Sequence, residues 1–222
     1  MIKGVVLDWL GTLSPGILEG YFPKNIIKDK FNFSDEQITL CETQLASFIP
    51  PFQPKNIEEQ REILLSQYQS VAQNLPTKDQ ENFVEFLMDW SFEKITPTLY
   101  PDALSTLEQL TDRKFSIALL TNGWPTRLSE VQRCGVANFF NTILISNVAG
   151  VAKPDPKAYQ NVSDALKLPF EELLFVDDKE KYLAPAQTLG MQVILMDRDG
   201  TKTQSSYPTI KNISEVASFL EK

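Results

Sequence analysis

Apolar residues fall into two rhythms along this chain. Ile2 to Leu7, Phe115 to Leu120, Thr142 to Ile145, Leu173 to Val176 and Gln192 to Met196 are short apolar runs of strand length. Helical spacing fills the gaps between them. Pro101 starts a helix with Ala103, Leu104, Leu107 and Leu110 as its stripe, and Pro125 to Cys134 forms another, stopped by Gly135. Asp155-Pro156 opens a helix to Lys167, a further one runs through Ala186 to Gly190, and Asn212 with Glu215 caps a last one. Alternating strands and helices predict a parallel sheet covered on both faces. The first strand is apolar on both sides, which suits a central position.

The segment between the first two strands follows a different rule. Ser14-Pro15-Gly16 is a turn cluster, and from there to Pro97 the periodicity is helical with no strand. Ser34 with Gln37 forms a capping box before the stripe Ile38, Cys41, Leu45 and Phe48. Pro50, Pro51 and Pro54 break the chain before a helix over 57–74 carrying Ile63, Leu64, Tyr68 and Val71. Thr77 with Gln80 forms a second capping box, followed by Phe83, Phe86, Leu87 and Trp90. The expected architecture is an α/β, Rossmann-like core of residues 1–13 and 98–222, with a helical insertion of three or four helices over 14–97.

Composition narrows the chemistry. The 222 residues are 42% hydrophobic and 23% charged, as in globular proteins, with a net charge of −8. That charge disfavours nucleic acid and anionic membranes as partners. The chain has no histidine, which removes histidine triads and histidine metal sites. Catalysis then runs on carboxylates, hydroxyls, lysines or backbone amides, and any metal is a hard ion with oxygen ligands, such as magnesium. Cys41 and Cys134 match no zinc or disulfide spacing and read as buried free thiols. With neither a signal-peptide pattern nor a run of transmembrane length, the expected location is the cytoplasm. The oligomeric expectation is a monomer or small homo-oligomer.

Polar residues interrupt the pattern at four strand ends: Asp8, Thr121-Asn122, Lys153 after the third strand, and Asp177-Asp178. Alone, each fits something ordinary: a turn or cap for Asp8, a turn for Thr121-Asn122-Gly123, a solvated loop for Lys153-Pro154, a helix cap for Asp177-Asp178. In a parallel sheet, however, the C-terminal strand ends share one edge, so all four converge on one cleft.

These stretches resemble the motifs of the haloacid dehalogenase superfamily. They read Val-Leu-Asp8-Trp-Leu-Gly-Thr12-Leu, Leu-Leu-Thr121-Asn-Gly, Val-Ala-Lys153-Pro-Asp-Pro and Leu-Phe-Val-Asp177-Asp178, in the family's order, with Leu-Gly-Met191 following. The resemblance covers essentially the whole chain, and the helical insertion over 14–97, between the first two motifs, looks like the helical cap domain of one subclass. It implies a hydrolase in which Asp8 attacks phosphorus to give an aspartyl-phosphate. Thr12, the Thr121 hydroxyl and the Asn122 backbone amide would hold phosphoryl oxygens, and Lys153 would neutralise them. Asp8, Asp177, Asp178 and the Leu10 backbone carbonyl would hold Mg2+. The implied partner is a small phosphorylated molecule selected by the cap.

One position departs from the family pattern. Phosphatases of the family carry an acid two residues after the nucleophile, where this chain has Leu10. Losing a general acid–base costs about a hundred- to ten-thousandfold in rate. The expectation is therefore a slow phosphatase, with a 2-haloacid dehalogenase or a catalytically impaired binding module as alternatives. A halide leaves without a proton, but twin acids beside the nucleophile would repel a haloacid's carboxylate. Tyr21, Phe22, Trp90 and Trp124 are either pocket lining or core and hinge packing.

Overall fold

The structure is a computed structural model and describes residues 1–17, 20–202 and 204–220, without the side chains of 77 and 78. In chain order its elements are β1 (Gly4–Leu7), β2 (Gly16–Ile17), α1 (Lys24–Phe31), α2 (Asp35–Ser47), α3 (Ile57–Ala72), α4 (Thr77–Asp89), β3 (Pro97–Thr98) and α5 (Ala103–Asp112). They continue with β4 (Ser116–Thr121), α6 (Arg127–Arg133), β5 (Thr142–Ile145), α7 (Ser146–Ala149), α8 (Pro156–Leu166), β6 (Leu173–Asp177), α9 (Glu180–Thr188), β7 (Gln192–Met196) and β8 (Thr209–Ile210). The chain divides into two compact units, Met1–Gly16 with Pro97–Lys222, and Ile17–Thr96. Among the described residues, no helix is long and apolar enough to cross a membrane.

The first unit is built on a parallel sheet of order β5-β4-β1-β6-β7-β8. Strand period two explains how one apolar run feeds both faces. Val5 and Leu7 of β1, Ile117 and Leu119 of β4, Val176 of β6 and Ile194 of β7 pack on one side with Leu107 and Leu110 of α5. Val6, Ala118, Leu120, Phe175 and Leu195 pack on the other with Tyr159 and Val162 of α8 and Leu183 of α9. Register places Leu7 opposite Leu119 on one neighbour and Val176 on the other. The residues that follow, Asp8, Leu120 and Asp177, therefore stand level at one edge.

The second unit has its own core. Ile27, Phe33, Ile38, Cys41, Tyr68, Phe83, Phe86, Leu87 and Trp90 are buried together. Phe31, Phe33, Phe83 and Phe86 meet with ring centroids between 5.5 and 5.7 Å apart. Trp90 donates its indole N–H to the Gly20 carbonyl at 3.1 Å, and Phe22 packs on the same cluster, so both are core. Tyr21 is half-exposed and Trp124 half-buried.

Several elements depart from expectation. The stretch read as strand-free contributes β2 and β3, which pair as a two-stranded ribbon. The helix α1 had no expectation of its own. Pro76 takes the cap position of α4 in place of Thr77, whose side chain lies outside the described residues. Gln80 instead donates to the Leu75 carbonyl at 2.9 Å. A π-helical turn, Trp90–Lys94, extends α4. The helix expected after Asn212 is a 3₁₀ segment, Ile213–Phe219, though its Asn212–Glu215 capping box is present. The Ser34–Gln37 capping box also forms.

Candidate active site

Asp8 closes β1, its backbone N–H donating to the Val176 carbonyl at 3.0 Å. The turn that follows is pinned by the Trp9 carbonyl, which accepts from Leu13 and Ser14, each at 2.9 Å. Gly11 within it has φ +80°, and a Cβ there would come within 2.8 Å of the Asp178 carboxylate. Positive φ and this close approach both demand glycine. Lys153 follows β5 and α7. It is 2% exposed, so the solvated-loop reading does not hold. Its ammonium donates to Asp8 Oδ1 at 2.7 Å and to Asp177 Oδ2 at 2.5 Å.

Asp177 ends β6, fully buried, and its Oδ1 accepts the Lys179 N–H at 2.8 Å. Asp8, Asp177 and Asp178 each bring a carboxylate oxygen within 4.8 Å of the other two. Asp178 Oδ1 is buried without a partner, as is the Thr12 hydroxyl. Thr121 is buried at the tip of β4. Thus Asp8, Lys153, Asp177 and Asp178 gather at the strand edge, with Leu10, Gly11 and Thr12 in the β1 turn and Thr121 and Asn122 at the β4 end.

The Asn122 side chain has a structural task of its own. Its carboxamide donates to the Lys153 carbonyl at 2.8 Å and accepts the Lys153 N–H at 2.9 Å. Tyr182 sits beside this clasp, accepting from Asn122 at 3.4 Å, with its ring centroid 5.0 Å from the Lys153 ammonium. The Ser146 hydroxyl accepts the Gly123 N–H at 3.0 Å. The Leu10 side chain is half-buried against the apolar core on the α5 side of the sheet and carries no ionisable group.

The electrostatics follow from three acids facing one lysine. Burial and the Asp8 charge push the Asp177 carboxyl up to about 7, against the pull of Lys153. Asp178 is raised by burial and then by Asp8. Burial alone would lower Lys153, but Asp8 and Asp177 override it and hold the ammonium above its ordinary value. With every group ionised, the cluster carries two uncompensated negative charges. A hard divalent cation fits that charge, the all-oxygen donor set and the orphaned Asp178 oxygen.

Sequence reasoning passed over Arg198 and Lys202. Arg198 donates to the Thr12 carbonyl at 2.6 Å, and Lys202 to the Asp178 carbonyl at 2.6 Å. The signal was available. Asp197-Arg198-Asp199 stands at the end of β7, on the edge that collects the other site residues.

A parallel sheet with a lysine–carboxylate cluster at its C-terminal edge defines an α/β protein with its polar groups at the edge where such folds bind ligands. The model of the haloacid dehalogenase-like hydrolases matches residues 2–190, and the chain belongs to that family. A Mycobacterium tuberculosis phosphatase is 32% identical over 124 residues, 55% of this chain and 56% of that protein. The (S)-2-haloacid dehalogenase 4A of Burkholderia cepacia is 27% identical over 51% of this chain and 49% of its own length. The chain thus spans about half the length of these curated relatives. A HAD phosphatase from Thermococcus onnurineus has the same fold over 99% of this chain and 98% of its own, with a TM-score of 0.68 at 18% identity. A 2-haloacid dehalogenase from Pseudomonas syringae pv. Tomato DC3000 covers 99% and 98% with a TM-score of 0.67 at 20% identity.

Proposed function

We propose that this hydrolase is a phosphatase of small phosphorylated molecules that uses Asp8 as its nucleophile. The observation that carries the reading is the meeting of Asp8, Asp177 and Asp178 around one point, with a buried Asp178 oxygen left unpartnered. Such a cluster suits a cation that offsets the repulsion between a carboxylate and a phosphate dianion. Asp8, Asp177, Asp178 and the Leu10 backbone carbonyl would hold Mg2+, which supplies charge neutralisation when bound.

The remaining work falls to the chain. One Asp8 oxygen attacks phosphorus, and the bond to the leaving oxygen breaks with its electron pair. Lys153 neutralises a phosphoryl oxygen, while the Thr121 hydroxyl and the Asn122 backbone amide donate to the others, with Thr12 beside them. Water then attacks phosphorus and loses a proton to solvent, the phosphorus–oxygen bond to Asp8 breaks with its electron pair going to Asp8, and the carboxylate is restored. Leu10 can protonate nothing, so leaving oxygens that depart without a proton react best and the overall rate is low.

The family also contains dehalogenases, and Leu10 is the observation that favours that second reading. The test is release of phosphate from a panel of phosphate esters and acyl phosphates, and of halide from 2-haloacids, each with Mg2+ and with chelator. Phosphate release that needs Mg2+ is expected. Halide release that persists in chelator, with no phosphate released from any substrate, overturns the proposal.

A further inference from the structure

The loop that follows β7 touches both sides of the candidate site without contributing a ligand. Asp197 is 4% exposed and folds the loop back on itself, accepting from the Thr201 and Lys202 backbone N–H groups, each at 3.0 Å. From this turn two cations reach the main chain of the site. Arg198 places one nitrogen on both oxygens of Asp102 at 2.9 Å and the other on the Thr12 carbonyl at 2.6 Å. Its guanidinium stacks 4.0 Å from the Tyr100 ring centroid. Asp102 is fixed in turn by the Ile213 N–H at 2.6 Å. Lys202 spans the Asp178 carbonyl at 2.6 Å and the Met196 carbonyl at 2.8 Å.

The two carbonyls belong to the turn after Asp8 and to the acid pair. Their segments lie far apart in sequence, and each carries a carboxylate that must stay within reach of the other. A planar, forked guanidinium suits a stacked position that splits its nitrogens between the Asp102 carboxylate and the Thr12 carbonyl, and a compact ammonium suits the two-carbonyl position. We propose that Asp197, Arg198 and Lys202 form a brace that holds the nucleophile turn and the Asp178 backbone in mutual register. All three are positioning residues. The metal arm of the proposal rests on reading Asp178 as a cation ligand; the backbone arm does not.

Two measurements on the full chain test it. Hydrogen exchange is compared between the wild type and Arg198→Met. The amides of Leu13 and Ser14 are expected to exchange faster, while those of β4 and α8 are unchanged. Unchanged exchange at Leu13 and Ser14, or faster exchange spread evenly through the sheet, overturns the brace. Should Arg198→Met fail to fold, Arg198→Lys keeps the charge and the apolar stem, and the same comparison applies. Mn2+ binding by electron paramagnetic resonance is the second readout. Lys202→Met is expected to weaken it about 10- to 100-fold, the usual cost of removing an outer partner of a metal ligand, with Lys202→Arg regaining part of the loss. Unaltered Mn2+ affinity in Lys202→Met overturns the metal arm. A wild type that takes up no Mn2+ overturns the phosphatase reading, and the exchange comparison still decides the brace.

Discussion

At the scale of single residues, Lys153 holds the greatest leverage. Its ammonium, itself 2% exposed, compensates the buried Asp8 and Asp177 carboxylates together. Replacing it by Met leaves buried carboxylates facing one another. The loss of one partner from a buried ion pair costs about 3–5 kcal/mol, so a fall of that order in urea-unfolding free energy is expected for Lys153→Met at pH 8. Leu10 is the opposite case, a position where a missing group can be supplied. Leu10→Asp is expected to raise the rate on alkyl phosphates about a hundredfold or more, the range of general acid–base catalysis, read as phosphate release at saturating Mg2+. The rate on acyl phosphates should change far less, because their leaving group needs no proton. Gly11 admits no side chain. Gly11→Ala adds a Cβ at φ +80° that meets the Asp178 carboxylate, and weaker Mg2+ binding by calorimetry is the expected result.

At the scale of elements, legibility followed the source of the signal. β7 over Gln192–Met196 appears where its apolar run stands, because burial on both faces writes a strand directly into composition, and β5 over Thr142–Ile145, a partly buried edge strand, is still marked by its short apolar run. The start of α8 was equally plain, since the Asp155 carboxylate caps the Lys157 N–H at 2.8 Å with proline next in line. The ribbon β2–β3 left no pattern, as two-residue strands are too short to show a period. The last segment looked helical because its capping box is indifferent to whether the turns that follow are α or 3₁₀. The carboxylates and lysine of the site were legible as chemistry at strand ends. Arg198 stood in a charged run at the end of β7 that could have marked it, but its target and that of Lys202 on the site are main-chain carbonyls, which no residue type advertises. In the helical unit, Phe83 is fully buried among Phe31, Phe33 and Phe86. Phe83→Ala is expected to cost about 3–5 kcal/mol, seen as earlier unfolding of this unit by circular dichroism.

At the scale of the whole molecule, the site works against the stability of the metal-free protein. The Asp177 carboxyl is raised by burial and by Asp8 from 3.8 when unfolded to about 7 when folded. A group raised on folding contributes stability fully below its unfolded value and loses that contribution as pH climbs through the folded one. Chelated protein should therefore be less stable at pH 8 than at pH 6. Mg2+, competing with the proton for the same carboxylates, should raise the melting temperature more at pH 8 than at pH 6. Scanning calorimetry at the two pH values with and without Mg2+ checks both statements.

The clasp between Asn122 and the main chain of Lys153 has a consequence for how freely this protein can drift. The lysine is moored from the β4 side by two hydrogen bonds that ignore what precedes it in the chain. Val148, 56% exposed in the stretch between β5 and Lys153, is then no part of what holds the charge that the stretch leads to. Substitutions at exposed Val148 are therefore expected to leave the ammonium in its berth.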